Sequence, residues 1–362
     1  MLRNRRTALL FVTGLLVMAL FSGVLIVAGQ EPASTLTLVQ DRGSLICGVN
    51  QELFGFGYLD PDTSEIIGFD VDFCRAFAIA IFGAASPETL QLSPQTAQTR
   101  LPALSAGEID VLVRNTTWTL SRDTDAGLDF GPTNFYDGQS IMVRAGEGLD
   151  TWEALDGTTI CTTTGTTTEK NITDAMEARG LDYELLQFES TADTNTAFMD
   201  GRCDVQTSDR SQLEALRAAS PDPSAYFVWD STFSKEPLGP VYRQNDSAWA
   251  DVINWTVFLM IEAEEVGINS ENVDGFLRMD GESDDDYIAR VGAGVARLVD
   301  PVLGLGGLLG LENDFMVEVI RQVGNYGEVY ERYFALDGPL PIVRGPNELW
   351  TNGGLIYSPA LR

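Results

Sequence analysis

The sequence predicts an α/β protein built as two similar lobes. Three observations carry that expectation. Strand-like and helix-like segments alternate after residue 36, which is the signature of parallel sheets flanked by helices. The alternation runs twice, and short stretches of the two runs match: "GSLIC" (43–47) with "GTTIC" (157–161), and "LSAGEIDVLVRN" (104–115) with "FMDGRCDVQTSD" (198–209). Two segments then cross between the runs.

In the first run "SLICGVN" reads as a strand. "FDVDFCRAFAIAIFG" follows as a helix, with Asp70 as N-cap, Gly83 as stop, and Phe73, Phe77, Ala80 and Ile81 as its apolar stripe. "TLQLSP" reads as a strand, "AQTRLPALSAG" as a helix and "IDVLVRN" as a strand. In the second run "GTTICTTT", "YELLQFES" and "CDVQTSD" are strands, and "TTTEKNITDAMEARG" and "DTNTAFMDG" are helices. "NFYDGQSIMVRAGEG" leaves the first lobe and "YFVWDSTFSKEPLGPVYRQ" returns to it. An amphipathic helix follows in "SAWADVINWTVFLMIEAEEVG", with Trp249, Ile253, Val257 and Met260 on one face. The predicted layout is lobe 1 from 36–142 plus 238–264, lobe 2 from 143–237, and a C-terminal extension over 265–362 packing on lobe 1. Two crossings make a two-strand hinge, with a cleft between the strand tips.

Composition excludes several functions. The chain of 362 residues has a formal net charge of −30, a field that repels nucleic acid and anionic membrane surfaces. It contains no histidine, so His-based triads and His-ligated metals are excluded. The first residues join a basic start (Arg3, Arg5, Arg6) to a long apolar run ending in small residues, Ala28 and Gly29. Residues 1–29 are therefore a signal peptide or an N-terminal anchor, and the protein is exported. Four cysteines in an exported chain allow three disulfide connectivities, and none has CxxC spacing; buried free thiols are the alternative.

Ligands of open parallel sheets bind beyond the carboxyl ends of strands. Three polar stretches fall there. "CTTTGTTTEK" sets threonines around Gly165 where a helix begins, so free backbone N–H groups and Thr166 and Thr167 offer donors to an anion. "RNTTWTLSRD" supplies Asn115, Thr117 and Arg122, whose planar fork matches a carboxylate. "QTSD" ends in Asp209, an acceptor suited to an ammonium. One anion site facing one cation site describes an amino acid. Plainer readings stand beside these: Arg122 pairing with Asp123 or Asp125, Asp209 capping the helix "RSQLEALRAAS", and Trp118 as a hinge or core aromatic.

The stretches "GFDVDFCRAFA", "RNTTWTLSRDT", "CTTTGTTTEKN", "GRCDVQTSDRSQL", "SKEPLGP", "QVGNYGEVYER" and "ELWTNGGLIYSPALR" resemble the periplasmic amino-acid-binding proteins of ABC importers, in particular the general L-amino-acid-binding group, over roughly residues 36 to 362. The resemblance implies a type II periplasmic-binding-protein fold, a monomer without cofactor or metal, an L-amino acid ligand and ABC permease subunits as partners. It places the carboxylate-binding arginine at Arg122, its polar companions at Asn115 and Thr117, the Gly-Thr-Thr helix start at Gly165, Thr166 and Thr167, and the ammonium-binding aspartate at Asp209. Many relatives put an aromatic on the pocket wall after the first strand; here Leu53 stands there, with Phe54 and Phe56 nearby, and Trp118 is a further wall candidate. The resemblance also implies disulfides Cys47–Cys74 and Cys161–Cys203. The rival function is a dehydratase-like enzyme on the same scaffold, which needs a general acid in the cleft; a sensor domain held by an uncleaved N-terminal helix is a second.

Overall fold

A computed structural model describes residues 33–362. The predicted signal peptide or anchor, residues 1–29, lies outside the described residues. Strands are β1 (Leu45–Val49), β2 (Leu90–Pro94), β3 (Val111–Leu112), β4 (Leu128–Phe130), β5 (Phe135–Asp137), β6 (Gln139–Arg144), β7 (Thr158–Thr163), β8 (Tyr183–Phe188), β9 (Val205–Asp209), β10 (Tyr226–Val228), β11 (Glu236–Leu238) and β12 (Val241–Arg243). A small antiparallel sheet of Glu52–Leu53, Gly57–Leu59 and Ile66–Ile67 follows β1. The helices are α1 (Thr35–Arg42), α2 (Phe69–Phe82), α3 (Arg100–Ser105), α4 (Leu120–Asp125), α5 (Thr167–Glu177), α6 (Thr191–Met199), α7 (Arg210–Ala218), α8 (Ser247–Glu265), α9 (Asp284–Val291), α10 (Ala293–Val299), α11 (Phe315–Gln322) and α12 (Tyr326–Phe334).

The two five-stranded sheets share one plan. The first has the order β2-β1-β3-β12-β4 and the second β8-β7-β9-β6-β10. In each, the second strand in the order, β1 or β7, pairs in parallel with both neighbours, and a returning strand, β12 or β6, then runs antiparallel beside the central one. The short self-matches fall on equivalent strands, β1 with β7 and β3 with β9. β6 belongs wholly to the second sheet, so the sequence-derived boundary at 142/143 cuts through a strand. The chain passes between the sheets at β5 and β11, which pair antiparallel.

Helix α2 begins at Gly68, not at Asp70. Gly68 has φ 147°, and an added Cβ would meet the Phe56 carbonyl oxygen at 2.2 Å, so only glycine fits the start. Gly83 stops the helix in the left-handed conformation, as expected. Phe73 and Phe77 are buried, and α2 packs with α8, α11 and α12 in one core. The extension therefore shares the first lobe's hydrophobic core. An aromatic cluster of Phe56, Phe69, Phe135, Tyr330 and Phe334 lies within it, with ring centroids 4.9–6.2 Å apart. Burying rings of this size dominates core energetics.

Each lobe is closed by one disulfide. Cys47 on β1 joins Cys74 on α2, and Cys161 on β7 joins Cys203 just before β9, across 27 and 42 residues. Loop-closure entropy gives each about 3–4 kcal/mol. Full reduction should therefore lower the melting temperature by at least several degrees in calorimetry. An unchanged melt after reduction would show that neither bond contributes.

Candidate functional site

The tips of β3, β7 and β9 and the starts of α3, α5 and α6 converge on a tight cavity of about 20 Å³ between the two sheets. Lobe 1 supplies Arg100, Arg114, Asn115 and Thr117 to its wall. Lobe 2 supplies Thr163, Thr166, Thr167, Thr191, Asp209 and Gln212.

The lobes meet across the cleft. Thr117 Oγ1 lies 3.4 Å from Thr167 Oγ1, the Asn115 amide donates to Gln212 Oε1 at 3.4 Å, and the Ala192 N–H reaches Glu52 at 3.4 Å. Gly165 (φ 75°) faces Gln98, whose Cγ would lie 3.2 Å from an added Cβ. The arrangement is a closed one, and a residue larger than glycine at 165 would press on the Gln98 side chain of the opposite lobe.

The site's electrostatics are unusual for a folded interior. Asp209 precedes α7 yet its side chain does not cap that helix. It is 5% exposed and its Oδ1 has no hydrogen-bond partner. Burial pushes its carboxyl well above the ordinary range, and Glu236 and Asp137 push it further. Arg100 is 3% exposed; its Nη1 donates to the carbonyls of Arg114 and Asn115 at 3.1 and 3.3 Å, while its Nε is unpaired. Burial holds its guanidinium well below its ordinary value, with Arg122 and Arg114 adding repulsion. Buried polar groups are normally satisfied, so an unpaired acceptor and an unpaired donor on one cavity mark what should fill it.

Arg122 is half-buried on α4. Its Nη1 donates to the Thr117 carbonyl at 2.9 Å, and among the described residues it forms no ion pair with Asp123 or Asp125. Burial lowers its pKa, opposed by Glu236 and Asp209. It stands behind the cavity wall that Thr117 forms.

The threonine turn differs from expectation in one respect. Thr167 Oγ1 donates its proton to Glu236 Oε2 at 2.9 Å, and Thr166 Oγ1 donates to the Thr163 carbonyl at 2.6 Å. A hydroxyl has one proton, so these side chains present lone pairs, not donors, to the cavity. Gly165 spends its N–H on Glu169 Oε2 at 2.9 Å and does not line the cavity. What remains for an anion is the backbone at the start of α5, whose residues Thr167 and Thr168 line the wall.

The expected wall residues Leu53, Phe56 and Trp118 lie off the cavity. Leu53 and Phe56 are buried in the lobe 1 core, Phe56 within the aromatic cluster. Trp118 stacks on Phe130 at 5.8 Å and donates its backbone N–H to Pro237 on the hinge. Core burial accounts for Leu53 and Phe56, whereas Trp118, 42% exposed, is held by the Phe130 stack and the hinge. The sequence reading missed Arg100, Arg114, Gln212 and Glu236. Arg114 ends the run "VLVR" at a strand tip, a position that should have flagged it. Arg100 looked like an ordinary polar residue at a helix start.

A cleft between two similar lobes, lined by buried unpaired charges of both signs, defines a binding protein for a small charged solute. The chain matches the bacterial extracellular solute-binding proteins, family 3, over residues 45–270, and it belongs to that family. The general L-amino acid-binding periplasmic protein of Rhizobium johnstonii is 43% identical over 336 residues, covering 92% of this chain and 95% of its own. The glutamate/glutamine/aspartate/asparagine-binding protein of Rhodobacter capsulatus is 40% identical over 338 residues, covering 93% and 96%. A solved periplasmic binding protein from Brucella ovis with glutathione bound has a TM-score of 0.81 and 42% identity, covering 91% of this chain and 100% of that one. The chain is a solute-binding protein of the kind that serves ABC transporters, and not an enzyme.

Asp70 supports the site from below. Its carboxylate accepts the N–H of Asn115 at 2.8 Å, holding that residue at φ 28°. Burial raises its pKa from 3.8 to about 7, despite the Asn115 bond and the opposing Arg114 and Arg100 charges. The native state therefore keeps a proton that the unfolded chain releases above about pH 4. The stability this lends is full below that pH and is lost as pH rises through about 7. Asp137, raised to about 6 by burial, acts in the same sense. Urea midpoints should fall between pH 4 and 7, and Asp70→Asn should flatten that slope. An unaltered slope in the variant would remove Asp70 from the account.

Proposed function

We propose that this protein captures L-amino acids between its lobes, as a monomer outside the cytoplasm, and delivers them to the permease of an ABC transporter. The observation that carries this reading is the pairing of an unsatisfied Asp209 acceptor with an unsatisfied Arg100 donor on one interlobe cavity. An amino acid whose α-ammonium meets Asp209 and whose side-chain oxygen meets Arg100 would satisfy both. In the proposed pose Asp209 and the Thr167 lone pairs take the α-ammonium. Arg122 and the α5 backbone take the α-carboxylate, Arg122 by turning from the Thr117 carbonyl. Residues 1–29 serve export.

The side-chain end of the cavity belongs, on this reading, to Arg100, Arg114 and Gln212, which favours a side-chain carboxylate or amide oxygen. The named ligands of the Rhodobacter relative and the glutathione of the Brucella protein support the choice. Glutamate, glutamine and the γ-glutamyl group of glutathione all present one free α-ammonium and one free α-carboxylate on the same carbon.

Calorimetric titration of refolded, ligand-free protein tests this. Asp209→Ala and Arg122→Ala should each lose more than about a hundredfold in affinity, because truncating one partner strands a buried charge, at about 3–5 kcal/mol. Arg100→Met should weaken L-glutamate and L-glutamine far more than L-alanine. Near-normal affinity in either alanine variant would refute that residue's role. Equal losses across all three ligands would refute the side-chain assignment.

A further inference from the structure

The C-terminal extension does more than cover a hydrophobic face. Its segment from Pro341 to Asn347 lies against the hinge, and the groove it borders shares no lining residue with the cavity, which puts it behind the hinge. Between that segment and lobe 2 lies a groove of about 670 Å³, whose floor is the hinge itself: Phe135 to Gly138 and Ser234 to Pro237. Its far wall is lobe 2, including Glu214, Asp230 and Thr232. Its near wall is the extension, including Ile342, Val343 and Pro346.

The extension grips one residue at the centre of the hinge. Tyr136 pairs opposite Pro237, which has no N–H to give. In such a pair the strand's own N–H and C=O point outward. The Asn347 side chain takes both: the Tyr136 N–H donates to Asn347 Oδ1 at 2.6 Å, and Asn347 Nδ2 donates to the Tyr136 carbonyl at 3.2 Å. One amide thus imitates a neighbouring strand. Asn347 is 3% exposed, and its surroundings are fixed to lobe 1. Arg344 donates to the Asn347 carbonyl at 3.1 Å and to Glu264 of α8 at 2.6 and 3.2 Å. Next to Tyr136, the Asn134 carbonyl accepts from the Tyr326 hydroxyl at 3.0 Å.

The cleft on the front of the hinge is closed, as the 3.4 Å contacts across it show. Rotation that opens the front must narrow the back. Lobe 2 then advances on a segment that is held to lobe 1 and cannot follow. We propose that the extension is a backstop that limits how far the lobes open, with Asn347 as the positioning residue that holds it against the hinge. Its consequence for affinity rests on the amino-acid-binding reading. A protein whose open form is restricted surrenders less free energy on closing, so its apparent affinity is higher.

Two variants act in opposite directions without touching the cavity. Val343 is 73% exposed and lines the groove, so Val343→Trp adds bulk at its near wall and should hold the lobes nearer to closed. Asn347→Ala releases the brace and should let them open wider. Small-angle X-ray scattering of the ligand-free proteins reads the opening. Titration with L-glutamate and L-glutamine reads the affinity. The expected result is a smaller radius of gyration and about threefold or more tighter binding for Val343→Trp, with the reverse for Asn347→Ala. Unchanged scattering in a folded Val343→Trp protein, or shifts of the same sign in both variants, overturns the proposal. If Asn347→Ala does not fold, Val343→Trp decides alone. Failure of the wild type to bind any amino acid would defeat the functional reading, and ligand-free scattering would still judge the backstop.

Discussion

The structure turns on a set of buried charges that are not paired with one another. Asp209, Arg100 and Arg114 are withdrawn from water at the junction of the lobes, and two of them keep an unsatisfied polar atom there. Isolated buried ions are expensive. The fold tolerates them because burial shifts their pKa values and because carbonyls hold the guanidiniums from behind. On the proposed function that residual cost becomes selectivity, since a ligand carrying both signs relieves more of it than a ligand carrying one.

Everything around these charges serves to bring two half-sites together. Each lobe repeats one strand plan, so each offers a polar strand tip and a helix start to the same space. One disulfide ties β1 to α2 in lobe 1, and the other ties β7 to the approach to β9 in lobe 2. Glu236, on the hinge, links that geometry to lobe 2 by accepting from Thr167 and from Asn171 at 2.7 Å. It therefore orients the threonine turn that forms one wall. The small residue at 165 permits approach, and the extension behind the hinge faces the motion from the other side.

The fold was legible because hydrophobic periodicity and capping chemistry report directly on elements. The two runs, the stop at Gly83 and the long helix at 247–265 follow from local rules. The misplaced start of α2 shows the limit of those rules. Asp70 has the chemistry of an N-cap, yet tertiary contact gives its carboxylate to Asn115 and leaves the cap to Gly68. The candidate site was legible where residues sit in recognisable turns, as with Thr117, Thr166, Thr167 and Asp209. Arg100 and Glu236 escaped because their importance arises only when distant segments meet. The aromatic residues Phe56 and Trp118 were drawn away by the core and the hinge, and no local pattern records that competition.

Native mass spectrometry on refolded protein, incubated with an equimolar mixture of L-amino acids, tests the central claim most directly. The expected result is one bound amino acid per chain, drawn chiefly from glutamate, glutamine, aspartate and asparagine, and lost in Asp209→Ala. A protein that emerges empty, or one that retains a ligand lacking either the ammonium or the carboxylate, would contradict it.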